Sequence, residues 1–451
     1  MIINNVKRKK LFVFGSLLFI MLLGTIFFIP TNNEVEADKV YDPELKQFAM
    51  EFRKIYGFDS TESYFLKVSK ENKIDKEIEK KLGFSLTDEE IRIISEREEI
   101  ENSIPSLVEK TKEVTTGYAG VYYVTETGDV VIKLVNNDDN IKNKIKSKYK
   151  FPSNVKFEKA EYSESELEMA NQKLLENPSL LEGSEITAFG VDIKSNRFEI
   201  YLKDLKNKEI KKSIENVIDP KIIVYKEGET TLAAGLSERS RPVLSGLKIS
   251  NGSGNCSVGF HAEMYSTNTP VLVTAGHCYQ QNYSTWYQPH KDTSAWFDDD
   301  SIGKWETRTS GATTADAGVI KLDKADYQTN KAWASSSSTN SLTSVFSGSE
   351  SVGSAIIKVG HVSGRTIGKI TNTNYSININ QHGYTTISNL TLTDTYTEPG
   401  DSGGVVHNYV SSGNYQLRGI VTAQIGTNKH MAYSKVQNII SLLGVKNIKI
   451  K

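Results

Sequence analysis

Cysteine is nearly missing from this chain: only Cys256 and Cys278 occur in 451 residues, and the seven histidines are scattered. Two thiols cannot complete a structural zinc site, and no stretch has metal-ligand spacing, so a metal-organised fold is excluded. An excess of basic charge is also lacking, since 54 Lys and Arg stand against 55 Asp and Glu for a net charge of −1. Neither half of the chain carries the clustered basic face that nucleic-acid binding requires. Long apolar runs are absent but for one, Leu11 to Ile29.

That run follows Lys7-Arg8-Lys9-Lys10 and precedes a polar stretch ending Val35-Glu36-Ala37, the pattern of an export signal removed after Ala37. It is also long enough to span a bilayer, so a retained membrane anchor is the alternative. In an exported chain an even pair of cysteines reads as a disulfide. The loop it would close is worth roughly 3 kcal/mol in the chain-entropy account.

The near-neutral total hides two unlike halves. Residues 38–241 hold 34 basic and 40 acidic side chains, a net of −6, whereas residues 242–451 hold 16 and 13, a net of +3. The second half is instead rich in Ser, Thr, Asn, Gly and Tyr. A shift this sharp marks a domain boundary.

Within the first half, Glu44 to Phe52 and Asp88 to Glu101 show apolar residues at helical spacing. From Tyr118 the pattern alternates: Tyr118 to Val124 and Val130 to Val135 make a hairpin around Glu126-Thr127-Gly128-Asp129. A Lys-rich segment, Ile141 to Lys150, and a strand at Val155 to Phe157 follow. About 70 residues on, the order recurs as Ile186 to Ile193, Arg197 to Leu202, a helix Leu205 to Val217 and a strand Lys221 to Tyr225, which reads as a degenerate repeat. Gly228 to Leu244 loses periodicity and reads as an exposed linker open to proteolysis, with a mature N-terminus between Leu232 and Ser250. Beyond it, short Val-, Ile-, Thr- and Tyr-rich segments alternate with Gly, Asn and Ser, as in an all-β barrel or sandwich. There only Lys435 to Leu443 looks helical.

Three local patterns carry chemistry. Glu398-Pro399-Gly400-Asp401-Ser402-Gly403-Gly404 sets one serine among glycines and behind an acid, which exposes a nucleophile beside free backbone N–H groups. Upstream lie Thr274-Ala275-Gly276-His277-Cys278 and Thr314-Ala315-Asp316-Ala317-Gly318-Val319-Ile320. A serine hydroxyl attacks an acyl carbon only when a base takes its proton, and an imidazole oriented by a carboxylate is such a base. The chain order His, Asp, Ser is that of chymotrypsin, unlike subtilisin or the α/β-hydrolases.

On these motifs the segment from about Pro242 to the end resembles the chymotrypsin-like serine proteases of the bacterial streptogrisin and alpha-lytic protease kind. The resemblance implies two six-stranded antiparallel β-barrels preceded by an α+β pro-region. It further implies that Ser402 is the nucleophile, His277 the base and Asp316 the acid that fixes its tautomer. The N–H groups of Gly400 and Ser402 would form the oxyanion hole, and Asp401 would be buried and paired. It also implies that Cys278 pairs with Cys256 and that Asp316 is preferred as the acid over Asp298-Asp299-Asp300, which reads as a solvated loop or a weak calcium site. In Arg418-Gly419-Ile420-Val421-Thr422-Ala423-Gln424, Thr422, Ala423 and Gln424 would line the substrate. There Thr422 stands where Ser is usual and Gln424 where Gly commonly keeps the pocket open, while Tyr396 and Thr397 sit where a pocket acid would be sought, so a preference for Lys or Arg is not supported.

The expected organisation is therefore a signal at 1–37, a two-lobed pro-region at 38–235, a processing linker at 236–245 and a protease domain at 246–451. The expected product is a secreted zymogen whose mature form is monomeric, acts on polypeptides, requires no cofactor and has its own pro-region as folding aid and inhibitor. Two rivals remain at this level: an adhesion module on an inactive protease fold, and a membrane-anchored surface protein whose N-terminal half binds a partner.

Overall fold

Helix Pro43–Ile55 spaces Leu45, Phe48, Ala49 and Phe52 three and four residues apart, so all four fall on one buried face. The computed structural model describes residues 43–450 except 71–74, 182–184, 229, 232–235, 291–299, 336–337 and 411–412. The signal expected at 1–37 lies outside the described residues, and none of the described helices is long and apolar enough to cross a membrane.

The apolar face of that first helix packs on the second half of the chain. Phe52 meets Tyr409 edge-on with ring centroids 5.7 Å apart, and the Arg365 guanidinium lies 3.7 Å from the Phe48 ring centre. Helix Asp88–Val114 opens with a capping box in which Thr87 and Glu90 satisfy each other's backbone N–H. It was expected to end near Glu101 but runs on through Pro105, because Ile104, Leu107 and Thr111 continue its buried stripe.

Two lobes follow with one topology. In the first, strands Tyr118–Val124 and Asp129–Leu134 form a hairpin, helix Asp139–Ser147 crosses over, and Val155–Lys159 returns parallel to the second strand. In the second, Ile186–Asp192, Arg197–Leu202, helix Lys208–Glu215 and Ile223–Glu227 repeat that order. The second lobe extends the main sheet, since Ile186–Asp192 pairs antiparallel with Gly364–Asn378.

The second half of the chain contains two barrel-like sheets, each around an apolar cluster. Six strands of the first run in the order Phe260–Met264, Pro270–Thr274, Gly318–Leu322, Ser301–Arg308, Thr285–Tyr287 and Lys248–Ser250, with a short strand added at each end. Val258, Leu272, Trp286, Ile302 and Ile320 fill it. Six strands of the second run Tyr384–Tyr396, His430–Lys435, Asn414–Ile425, Val405–Val410, Ala355–Gly360 and Gly364–Asn378, and the last pairs back to the first and closes the ring. The C-terminal helix is Val436–Leu443.

The expected exposed linker is only partly exposed. Ser237, Glu238 and Arg239 face solvent, but Val243 is fully buried and its N–H donates to Tyr327 O at 3.0 Å. The Ser240 N–H donates to Gln288 Oε1 at 2.9 Å, and the Arg241 guanidinium to the same oxygen at 2.7 Å. Arginine side chains that read as solvated from composition instead fasten this segment to the first barrel.

Candidate active site

His277 sits on a single helical turn, Gly276–Cys278, just after the strand Pro270–Thr274. The disulfide Cys256–Cys278, with Cα atoms 6.3 Å apart, fastens that turn to a neighbouring strand. Because both sulfurs are bonded to each other, the cluster of Cys256, His277 and Cys278 offers no thiolate pair to a metal. Gly276 is required by close approach: a Cβ there would lie 2.0 Å from the Tyr384 hydroxyl.

Asp316 lies between strands Gly311–Thr313 and Gly318–Leu322 and is fully buried. Its Oδ2 is 2.5 Å from His277 Nδ1, and its Oδ1 accepts the His277 backbone N–H at 2.9 Å. Two bonds to one carboxylate fix both the ring and the turn that carries it. The Asp316 N–H donates in turn to Ser434 Oγ at 2.8 Å, and that hydroxyl lies 2.7 Å from Thr422 Oγ1. Thr422 therefore supports the acid with its side chain. Tyr384, whose hydroxyl is 2.8 Å from Thr309 Oγ1, covers the same carboxylate. Burial first, then the charge of Asp316, pushes the Tyr384 hydroxyl pKa upward, so it stays neutral.

Ser402 is 2% exposed, on the loop between Tyr384–Tyr396 and Val405–Val410. Its carbonyl accepts the Ser257 N–H at 2.8 Å, while the Gly403 N–H donates to Val421 O at 2.8 Å. Gly403 has φ +81°, and a Cβ there would meet Thr274 Oγ1 at 2.1 Å, so only glycine lets the serine loop lie this close to the histidine strand. Among the described residues no hydrogen bond joins Ser402 Oγ to His277. In catalytic sites without substrate this contact is often long and tightens on binding.

Gly400 adopts φ +102°, and its carbonyl is turned inward, accepting from Ser257 Oγ at 2.7 Å and His361 Nδ1 at 2.7 Å. Among the described hydrogen bonds, the N–H groups of Gly400 and Ser402 have no partner. Asp401 is fully buried and bonded to Lys358 Nζ at 2.7 Å, with Val362 N–H at 2.9 Å and Glu398 N–H at 3.0 Å also donating to it. Burial alone would raise its pKa, but Lys358 and these donors outweigh burial and hold the carboxyl down at about 2.

The structure thus brings His277 and Asp316 into direct contact and sets Ser402 on an adjoining loop. Of the alternative acids, Asp300 pairs with Arg239 at 2.8 Å and is 8% exposed, so it is not solvated, and His277 Nδ1 bonds Asp316 instead. Asp298 and Asp299 lie outside the described residues. Ala423 is buried, and Gln424 turns its amide to Thr397 O at 2.7 Å. Sequence reading missed Lys358, Ser434, Tyr384 and His382, whose exposed ring lies 6.0 Å from that of His277. None sits in a recognisable local pattern, so only the fold reveals them.

Comparison with known proteins finds relatives of the second half of the chain. The model of the family described as Trypsin matches residues 238–443. Serine protease 2 of Streptomyces fradiae is 31% identical over 156 residues, which span 34% of this chain and 81% of that protein. Among solved structures, a glutamic-acid-specific serine protease described as using a histidine triad in substrate binding is 25% identical, covering 45% of this chain and 98% of its own, with TM-score 0.37. A Nocardiopsis protease is 23% identical, covering 46% and 98%, also with TM-score 0.37. With a relative matched over most of its length, and two barrels that bring a histidine, an aspartate and a serine loop together, this chain belongs to the trypsin family of chymotrypsin-like serine endopeptidases.

Proposed function

We propose that the chain is a secreted zymogen in which Ser402, activated by His277 and Asp316, hydrolyses peptide bonds through an acyl-enzyme. His277 takes the Ser402 proton as Oγ attacks the scissile carbonyl and then gives it to the leaving amine. Asp316 stays ionised and stabilises the imidazolium. The unpartnered N–H groups of Gly400 and Ser402 receive the negative oxygen of the tetrahedral intermediate. Water then repeats the sequence on the acyl-enzyme, and no cofactor is needed.

The observation that carries the zymogen reading is the strand Thr230–Thr231, whose backbone pairs antiparallel with Gln424 and Ile425, two residues beyond Thr422. The chain's own N-terminal half thus lays a segment along the edge where an extended substrate would dock beside Ser402. In this reading residues 1–37 are the signal, 38–235 the inhibitory and folding-assisting pro-region, and the segment from Leu232 onward is cut. The Asp401–Lys358 pair forms within the uncut chain, so activation consists of clearing the strand rather than reshaping the serine loop.

N-terminal sequencing of secreted protein tests this. The unaltered chain should begin between Leu232 and Ser250, and Ser402→Ala should retain residues 38–241. Active, secreted protein that still carries the N-terminal half would contradict it.

A further inference from the structure

Gly403 and Gly404, directly after Ser402, are locked to the strand Asn414–Ile425 by two backbone bonds, from Gly403 N–H to Val421 O at 2.8 Å and from Val421 N–H to Gly404 O at 2.9 Å. A substrate strand lying antiparallel along Gln424 therefore runs toward Ser402 between two walls. One is the loop Thr397 to Ser402, and the other is the strand edge Thr422 to Gln424. The side chain of the residue whose carbonyl is attacked has to enter the gap between them.

That gap is bridged. Gln424 Nε2 donates to Thr397 O at 2.7 Å, joining the two walls, and the residues are 7% and 1% exposed. Glu398, beside the bridge, offers no free charge to a basic side chain, because it is ion-paired with Lys429 and bonded to the Tyr396 hydroxyl. Thr397 N–H is itself bonded to Lys429 O at 3.0 Å, so the loop cannot swing away without breaking further contacts. Swinging the glutamine aside for a bulky side chain would leave a buried carbonyl without a donor.

We propose that Gln424 is the specificity-determining residue of this protease, and that it restricts the residue before the scissile bond to small, uncharged side chains such as alanine, glycine or serine. The inference rests on the reading of Ser402 as nucleophile. The chain's own sequence is compatible with it: Thr231 lies opposite Gln424, and the residues that follow are Leu232, Ala233 and Ala234.

The test uses the processed enzyme and tetrapeptide anilides differing only at the residue before the anilide, alanine against phenylalanine. Active sites are counted with a small fluorophosphonate that needs no side-chain pocket. The unaltered enzyme should cleave the alanine substrate about 100-fold or more faster in kcat/KM, in line with discrimination by pocket fit. Gln424→Gly should lower that ratio at least about 30-fold, chiefly by raising turnover of the phenylalanine substrate. Gln424→Ala gives the same readout should the glycine variant fold poorly. An unaltered enzyme that cleaves both equally, or a ratio unmoved in either variant with full fluorophosphonate reactivity, overturns the gate. Loss of fluorophosphonate reactivity in the unaltered enzyme instead overturns the assignment of Ser402, and the gate with it.

Discussion

Lys358 Nζ lies 2.7 Å from Asp401 Oδ2 with both side chains fully buried, so the acid beside Ser402 is neutralised from within the second half of the chain. Removing one member of such a pair leaves an uncompensated buried charge, which costs about 3–5 kcal/mol. Lys358→Met should therefore destabilise the protein by about that amount and lower activity by loosening the Gly400 loop. The double variant Lys358→Met, Asp401→Asn should regain much of the stability. Denaturant midpoints measured in a Ser402→Ala background give the comparison.

The same pair sets an acid limit. The Asp401 carboxyl is depressed from 3.8 to about 2, so its contribution is full above the ordinary value and is lost as pH falls through about 2. That loss amounts to about 2–3 kcal/mol. Asp401→Asn should remove this part of the acid unfolding transition, and an unchanged transition would refute the assignment.

Much of this site was legible in the sequence and some was not, for physical reasons. His277, Asp316 and Ser402 stood out because each sits in a local wording that dictates backbone geometry as well as chemistry. Lys358 is 43 residues from Asp401, and Ser434 is 118 from Asp316, so only strand pairing brings them together. The repeated hairpin, helix and strand order is written in local periodicity and is present in the structure as two like lobes. The segment after Leu236 read as exposed because Ser, Arg and Pro lack an apolar pattern, whereas its arginines bond to Gln288 and Asp300, 47 and 61 residues away.

A second pH effect acts nearer neutrality. Burial holds the fully buried His261 at about 4 and His361 at about 4, both below the ordinary 6.5, and also pushes His407 well below that value. Between pH 6.5 and 4 the unfolded chain binds protons that the folded state refuses, so stability falls as pH drops through that window. His361 also donates to Gly400 O, a bond that favours protonation but is outweighed by burial. Thermal midpoints of Ser402→Ala should decline from pH 7 to pH 4, and His261→Gln should flatten part of the decline. A flat profile would contradict the buried neutral histidines.

Asp316→Asn should lower kcat by about four orders of magnitude, the effect of losing the acid that fixes the histidine tautomer. Asp300→Asn should leave kcat nearly unchanged while loosening the Arg239 contact, since that carboxylate is bonded to Arg239 and His277 to Asp316. Steady-state kinetics on both variants decide the matter, and the reverse pattern would move the triad acid to the acidic run.

Breaking the Cys256–Cys278 bridge frees the turn that carries His277. Replacing both cysteines with serine should lower stability by about 3 kcal/mol. Activity should fall with it, because Asp316 would then orient a mobile turn. Mass spectrometry of unreduced protein should find the bridge and no alkylatable thiol.

The central claim, that Ser402 is an activated nucleophile, is tested most directly by treating the processed protein with a fluorophosphonate and mapping the adduct by peptide mass spectrometry. The account predicts a single stoichiometric adduct on Ser402, with the rate of labelling cut at least about 100-fold by His277→Ala, as expected when the base is removed. An adduct on another residue, or labelling of Ser402 at an equal rate without His277, would contradict it.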